Sequence, residues 1–340
     1  MTIADEILDF TFSGDPADPI KRHLTGLYSF DHAFETATGE IGMPIGTGYE
    51  VFGAKSVGKS TFCYSLISIL GNQLGSNLVL ADLEGFDPGH FKNILKHNRY
   101  KGYVRLVHQG EDEDILEKLA DTCLGNIKSD VDYTIGMLDS IAAISPLAEK
   151  QGDFGVATYG RRAALLAILS RRLLPTVHPR KPQSENIFFL TNHWIPRVNA
   201  KGYISPGGEA KNYLCGLQIH LARKNVSIGG KDYITLPDGS YRLEGTLYKN
   251  RYGFDKTKFT VFMKAGVGIH SGLTAMFDAL DLKLATRRNI VKIGDESFGH
   301  LKTILVKEWK NDEFFQPFYD VLKDNTVLNN SDEEIKNENK

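Results

Sequence analysis

Short runs of consecutive apolar residues recur along the chain. Between them lie longer stretches in which apolar positions return every three or four residues. One run leads into Gly53; others are NLVLADLEG, DYTIGMLDS, NIFFLTNH and LCGLQIHLA. Apolar side chains at successive positions predict strands covered on both faces, because neighbouring residues of a strand point to opposite sides. A helix is expected from about Lys59 to Leu70, with Phe62, Leu66, Ile69 and Leu70 on its buried stripe. ILEKLADTCLGNI reads as a second helix. A third runs from about Tyr159 to Leu174 and stops at Pro175, whose ring and missing N–H end helices. This alternation predicts an α/β fold, a mostly parallel twisted sheet with helices on both faces. From about Ile228 the texture changes. Gly-rich turns (IGGKDY, LPDGSY) separate alternating segments, which predicts antiparallel hairpins extending the sheet. After about Gly266 the chain reads as helical again, with an aromatic cluster, EWKNDEFFQPFY. IADEILDF, near the start, reads as a short amphipathic helix. The last segment, NNSDEEIKNENK, is polar and acidic and is expected to be disordered.

Composition narrows the class. The 340 residues, 41% of them hydrophobic, suffice for one large core plus a smaller appendage. Charge is nearly balanced, 40 Lys and Arg against 42 Asp and Glu, so any nucleic-acid surface must be local. The three cysteines, Cys63, Cys123 and Cys215, contain no C-x-x-C pair and read as reduced core thiols, not as a zinc site or a disulfide framework. No apolar run reaches the length of a membrane span. The opening residues lack the basic-then-apolar pattern of a signal peptide. A soluble, cytoplasmic protein with no membrane partner is expected.

The candidate chemistry starts with EVFGAKSVGKST, which contains G-x-x-x-x-G-K-S. Gly53 and Gly58 let the backbone N–H groups of the loop, with Lys55, Ser56 and Val57, turn toward phosphates, and the following helix adds its positive end. Lys59 reaches the β- and γ-phosphates of a nucleoside triphosphate, Ser60 ligates Mg²⁺, and Thr61 touches the α-phosphate. The alternative, a chance match in a glycine-rich turn, fits less well with an apolar strand before the loop and an amphipathic helix after it. Asp139 ends its strand where a Mg²⁺-bound water would be held, or it caps a helix together with Ser140. Asp82 and Glu84 end the strand after the phosphate-loop helix. A carboxylate there can deprotonate a water attacking the γ-phosphate, which favours an ATPase over a small-molecule kinase; the plain alternative is a solvated strand-end acid.

EVFGAKSVGKST, DLEGFDP, LDSIAAISPLAE, FFLTNH, SPGGEAKNYLC and LYKNR, in this order and spacing, resemble the RecA recombinases and most of all their phage-type UvsX branch. The likeness covers roughly Leu24 to Met263. It implies ATP and Mg²⁺ as cofactors and assigns roles one by one. Glu84 matches the catalytic glutamate and Asp87 an adenine-side contact. His193 takes the place of the γ-phosphate sensor, a glutamine in the bacterial proteins. The first DNA-binding loop lies about Glu149 to Gly160, with Arg161 and Arg162 opening the next helix. The second runs from Trp194 to Pro206 and carries Arg197, Lys201 and Tyr203. Gly207 and Gly208 return the backbone after it. Lys249 and Arg251 match a basic pair that reaches the neighbouring subunit's ATP. Arg171 and Arg172 read instead as a solvated helix face. Ile7, Leu8 and Phe10 are candidates for docking on a neighbour.

The expected organisation is a lead-in over 1–35, an ATPase core over 36–265, a small C-terminal domain over 266–328 and an acidic tail over 329–340. The resemblance implies an ATP-dependent DNA recombinase that forms a helical filament on single-stranded DNA and pairs it with homologous duplex DNA. Single-strand-binding and mediator proteins are further partners it suggests, in a host cell's cytoplasm if the chain is phage-encoded. Two other readings stay open at this point: a RecA-like hexameric helicase or regulatory ATPase, and a non-catalytic recombination mediator.

Overall fold

The apolar runs pair into one nine-stranded sheet in the computed structural model, which describes residues 20–85, 87–125, 134–150, 160–177, 186–196, 203–287 and 290–326. Its strands in chain order are β1 (Gly48–Gly53), β2 (Asn77–Asp82), β3 (Val104–Val107), β4 (Thr134–Asp139), β5 (Ile187–His193), β6 (Cys215–Lys224), β7 (Tyr241–Asn250), β8 (Lys258–Lys264) and β9 (Gly268–Ile269). Across the sheet they lie in the order β9-β8-β7-β6-β1-β5-β4-β2-β3. Every pairing from β6 to β3 is parallel. The pairings from β6 to β9 are antiparallel.

Alternation within each run sends its residues to two cores. Leu78, Leu80, Ile187 and Phe189 join Phe62 and Leu66 on one face. Val79, Ala81, Phe188 and Leu190 join Ile115, Leu119, Leu166 and Leu169 on the other. Helices α1 (Lys59–Leu74) and α2 (Pro88–His97) cover the first face. Helices α3 (Asp112–Gly125) and α4 (Arg161–Leu173) cover the second. Helix α1 is buried on more than the expected stripe: Cys63, Tyr64 and Ile67 are buried as well, and Ile69 only partly. The reason is that α2 and β9 cover its outer side, through Phe91, Ile94 and Ile269. Cys63, Cys123 and Cys215 are all buried free thiols.

Some elements differ from expectation. Helix α2 and strand β3 were not expected. Helix α2 shows only Phe91, Ile94 and Leu95 among polar residues, although Asp87 at its N-cap and Pro88 at its first position are recognisable start signals. Strand β3 is a four-residue edge strand with Arg105 exposed. The hairpin Val226–Ile228 with Lys231–Tyr233 does not extend the main sheet but forms a two-stranded sheet of its own. The extension comes from β7, β8 and β9. The region after Gly266 holds a three-stranded antiparallel sheet, Thr286–Arg287, Val291–Ile293 and Glu296–Gly299, between helix Ser271–Asp281 and helix Leu301–Lys307. These elements and the helix over 316–326 enclose a third cluster around Phe262, Met276, Phe277, Ile304, Phe315 and Phe318.

The one-turn helix Tyr28–His32 ties the start of the described chain to this body. Phe30 packs edge-on against Phe259 at 4.8 Å between centroids. Ser29 N–H donates to the Asp278 carboxylate at 3.1 Å, and its hydroxyl to the Thr260 carbonyl at 2.9 Å. Residues 1–19, with Ile7, Leu8 and Phe10, and the tail over 329–340 lie outside the described residues. No helix among the described residues is long and apolar enough to cross a membrane.

Burial pushes the Asp278 carboxyl up to about 7 against the Ser29 hydrogen bonds. An unfolded chain releases that proton near the ordinary value of 3.8, while the folded chain retains it. Stability therefore falls as pH rises from about 4 to about 7. Asp278→Asn keeps an acceptor for Ser29 N–H and does not ionise. It is expected to flatten this decline and raise the melting temperature at pH 8, by roughly 1–2 °C per kcal/mol recovered; thermal melts over a pH series check it.

Candidate functional site

Parallel strands bring their C-terminal ends to one edge of the sheet, and the crossover from β1 to β2 skips β5 and β4. The candidate residues gather at that edge. Gly53 pairs with His193, and Asp82 with Asp139. A cleft of about 620 Å³ is lined by Lys55, Ser56, Gly58, Lys59, Ser60 and Thr61, with Glu84 and His193 from two other strand ends and Arg223 and Tyr241 from β6 and β7. Gly58 has φ +112°, and a Cβ there would lie 2.1 Å from the Tyr241 hydroxyl oxygen, so only glycine fits. Lys59 is 7% exposed. Its ammonium donates to the Ala54 carbonyl at 3.0 Å and the Gly53 carbonyl at 3.4 Å. Burial lowers its pKa, opposed by the nearby Glu84 and Asp139 carboxylates.

The carboxylates are individually held. Asp139 is 3% exposed and accepts from the Tyr64 hydroxyl at 3.1 Å and from the Thr191 hydroxyl. Asp82 accepts from Gly85 N–H at 3.0 Å, and burial, helped by the Asp139 charge, raises its pKa. Glu84 Oε1 accepts from the Ser140 hydroxyl and lies 3.0 Å from His193 Nε2. The water-activating candidate and the sensor candidate are thus in direct contact, and Ser140 joins them. Asp87 caps α2, accepting from Gly89 N–H at 2.9 Å and His90 N–H at 3.1 Å. Thr61 Oγ1 lies 3.1 Å from His90 Nε2. Among the described residues no three His, Cys, Asp or Glu side chains form a metal cluster. Asp139 and Ser60 instead suit Mg²⁺, which takes one or two protein oxygens and completes its shell with phosphates and water.

Lys249 and Arg251 lie at the other end of the sheet. Lys249 pairs with Gln218 on β6, which pairs with Glu50 on β1. The Lys249 ammonium donates to the Asn212 carbonyl at 3.1 Å and the Cys215 carbonyl at 3.4 Å, and Arg251 Nη2 donates to Asn212 at 2.8 Å. Cys215 is level with Gly48, where β1 begins. Lys249 itself is level with Glu50, three residues or about 10 Å of strand before Gly53, and its ammonium turns away from that end, toward the level of Gly48.

The candidate DNA residues divide. Arg161 is exposed at the start of α4, while Arg162 donates through Nε to the Ile144 carbonyl at 2.8 Å. Trp194 packs among Phe52, His220 and Tyr248, with centroids 4.9, 4.1 and 5.9 Å away. Ile195–Pro196 pairs antiparallel with Tyr203–Ile204. Arg197, Lys201 and residues 151–159 lie outside the described residues. Gly207 and Gly208 have φ +117° and +67°, and a Cβ on Gly207 would press on Lys211, Ile141 and Leu166. Arg172 forms ion pairs with Glu117 and Asp121, as a solvated face does.

The sequence reading missed a polar network beneath this surface. Glu50, with no side-chain exposure, accepts from Lys211 Nζ at 2.7 Å, Gln218 Nε2 at 2.8 Å and Asn192 Nδ2 at 2.8 Å. Lys211 also donates to Ser205 Oγ at 2.8 Å, and Asn192 Nδ2 to the Pro206 carbonyl at 2.6 Å. Gln218 donates to Asn212, whose carbonyl receives Lys249 and Arg251. Asn192 Oδ1 accepts from His193 N–H at 2.9 Å. One hydrogen-bonded path thus joins His193, Ser205 and Pro206, and the Lys249–Arg251 pair. The signal was present: an acid inside a strand buried on both faces must have a partner. Because breaking a buried pair leaves a bare charge, Lys211→Met or Glu50→Gln alone is expected to cost about 3–5 kcal/mol, and the double variant to recover most of it. Urea unfolding of the three variants measures this.

Residues 17–244 match the RecA N-terminal domain family. The chain is 28% identical over 228 residues to protein RecA of Ureaplasma parvum, a match covering 66% of this chain and 61% of that protein. It is 25% identical over 242 residues to protein RecA of Aquifex aeolicus, covering 69% and 65%. It is 27% identical over 261 residues to protein RecA of Campylobacter fetus, covering 74% and 68%. The match thus spans about three fifths of the length of the first of these relatives. With a family match over most of the chain and a phosphate loop, strand-end carboxylates and sheet order that agree with it, the chain belongs to the RecA family.

Proposed function

We propose that this protein is an ATP-dependent DNA recombinase of the UvsX type, encoded by a phage. It polymerises as a helical filament on single-stranded DNA and catalyses homologous pairing and strand exchange. The observation that carries this reading is the division of labour along the sheet. The phosphate loop, Glu84, Asp139 and His193 share one end, and the Lys249 and Arg251 side chains turn toward the other, onto the Asn212 and Cys215 carbonyls. A cation pair turned away from its own cleft suits the cleft of a neighbour.

In this reading the loop N–H groups and Lys59 bind the phosphates, and Asp87 lies beside the adenine. Ser60 and Asp139 would hold Mg²⁺, which would offset phosphate charge. Glu84, oriented by Ser140, takes the proton of the attacking water. His193 releases Glu84 when it turns to the γ-phosphate. The neighbour's Lys249 and Arg251 stabilise charge developing on the transferred group. The loops after α-helix Leu147–Lys150 and after His193 hold single-stranded DNA through its backbone, with Arg161, Arg162, Arg197 and Lys201 on phosphates and Trp194 and Tyr203 beside the bases. Base pairing, not side chains, selects the partner duplex. Residues 36–265 form the ATPase core and 266–328 a small C-terminal domain.

The test is ATP hydrolysis with and without single-stranded DNA over a salt series. The expected outcome is strong stimulation by DNA that weakens with salt, and a loss of about a hundredfold or more in Glu84→Gln with nucleotide binding retained. Turnover indifferent to DNA would favour a regulatory ATPase, closed rings with unwinding a helicase, and binding without turnover a mediator. Replacing both Lys249 and Arg251 by Ala is expected to cut DNA-stimulated turnover by about a thousandfold while ATP still binds. Unchanged turnover and unchanged filaments in electron micrographs would sink the cross-subunit role.

A further inference from the structure

Two side chains outside the phosphate-loop motif hold the loop, and both also line the cleft. Arg223, near the end of β6, donates through Nη2 to the Ser56 carbonyl at 2.9 Å and through Nη1 to the Thr235 hydroxyl. Its guanidinium carbon stands 4.1 Å from the centroid of the Tyr241 ring, at the start of β7. The Tyr241 hydroxyl in turn occupies the space beside the Gly58 Cα. The loop is therefore held at Ser56 and at Gly58.

The Ser56 contact has a directional effect. Ser56 is a non-glycine residue at φ +59°, a conformation that side-chain-bearing residues rarely adopt unless their surroundings impose it. A trans peptide is planar, with its C=O and N–H pointing opposite ways. Arg223 takes up the Ser56 carbonyl, so the N–H of the same peptide, on Val57, points the opposite way. That N–H donates to the Ala54 carbonyl at 3.4 Å, the same oxygen that accepts from the Lys59 ammonium. The Ser56–Val57 peptide is thus held on both sides, and one of its partners also holds Lys59.

We infer that Arg223 is a positioning residue for nucleotide phosphates: with Tyr241 it braces the loop at Ser56 and Gly58, so that the loop around Lys59 keeps its shape before the ligand arrives. The inference rests on the reading of this cleft as a nucleoside triphosphate site. A brace acts by removing the ordering cost of binding. It therefore serves ATP and ADP alike and acts on affinity more than on the chemical step. A cation that touched the γ-phosphate would instead favour ATP over ADP and act on kcat.

The experiment is titration of the full-length protein with fluorescent ATP and ADP analogues, paired with steady-state hydrolysis. Arg223→Ala is expected to weaken both nucleotides by about tenfold, with kcat at saturation falling far less. Arg223→Lys, which can reach Ser56 but cannot also anchor on Thr235, is expected to lie between. Thr235→Val removes that second anchor without touching the cleft and is expected to weaken both nucleotides by a smaller factor, which keeps the test open if Arg223→Ala fails to fold. Affinities within twofold of wild type in the folded variants would overturn the brace. So would a loss confined to ATP with a matching fall in kcat, which would make Arg223 a phosphate ligand. A wild-type protein that binds neither nucleotide would overturn the reading of the cleft itself.

Discussion

Glu50 is a carboxylate with no solvent exposure in the strand that launches the phosphate loop. A charge in that position costs several kcal/mol unless it is paired and its remaining lone pairs are filled. Its donors come from three elements: Asn192 on β5, Gln218 on β6 and Lys211 on the short helix Ala210–Leu214. The neighbours of β1 are thereby chosen by chemistry as well as by shape. A strand lacking Asn192 or Gln218 in register would leave the charge unsatisfied. The same requirement sets His193, one residue past Asn192, level with Gly53. It also draws the chain back at Ser205 and Pro206.

Above that network carboxylates crowd one side of the cleft. Asp82, Glu84 and Asp139 end two adjacent strands, and Lys59 is the cation that faces two of them. The raised pKa of Asp82 follows from this crowding and from burial. A polyphosphate entering beside these carboxylates adds more negative charge, for which a divalent cation is the natural complement. Tyr64 and Thr191 keep Asp139 oriented without neutralising it, which leaves its charge available.

Much of this was legible in the sequence because it depends on local pattern. Strands buried on both faces announce themselves as apolar runs, and a glycine-rich loop between such a run and a helix needs few alternatives. Helix α2 was hidden by its polar composition, although Asp87 and Pro88 marked its start. Strand β3 was hidden by its length and edge position. The small sheet after Gly266 was read as helical because its strands are two to four residues long. Asp87 carried two signals at once: it matched a base contact by motif, and with Pro88 it marked a helix start, where its side chain caps α2. Glu50 could be flagged as needing a partner, but Lys211, 161 residues away, could not be named. Arg223 carried no local signal, since it meets Ser56 only because Leu221 is in register with Gly53.

The separation of the cleft from Lys249 and Arg251 has a consequence for the shape of any assembly. In the filament proposed above, a molecule that offers a receptor at one end of its sheet and the complementary cations at the other joins copies of itself only head to tail. The two extremities of such a string are chemically unlike. One presents a cleft still awaiting its cations, and the other presents cations with nothing to neutralise. Growth and loss at the two extremities then need not share a rate, and the string has a direction written into the spacing between Gly53 and Lys249.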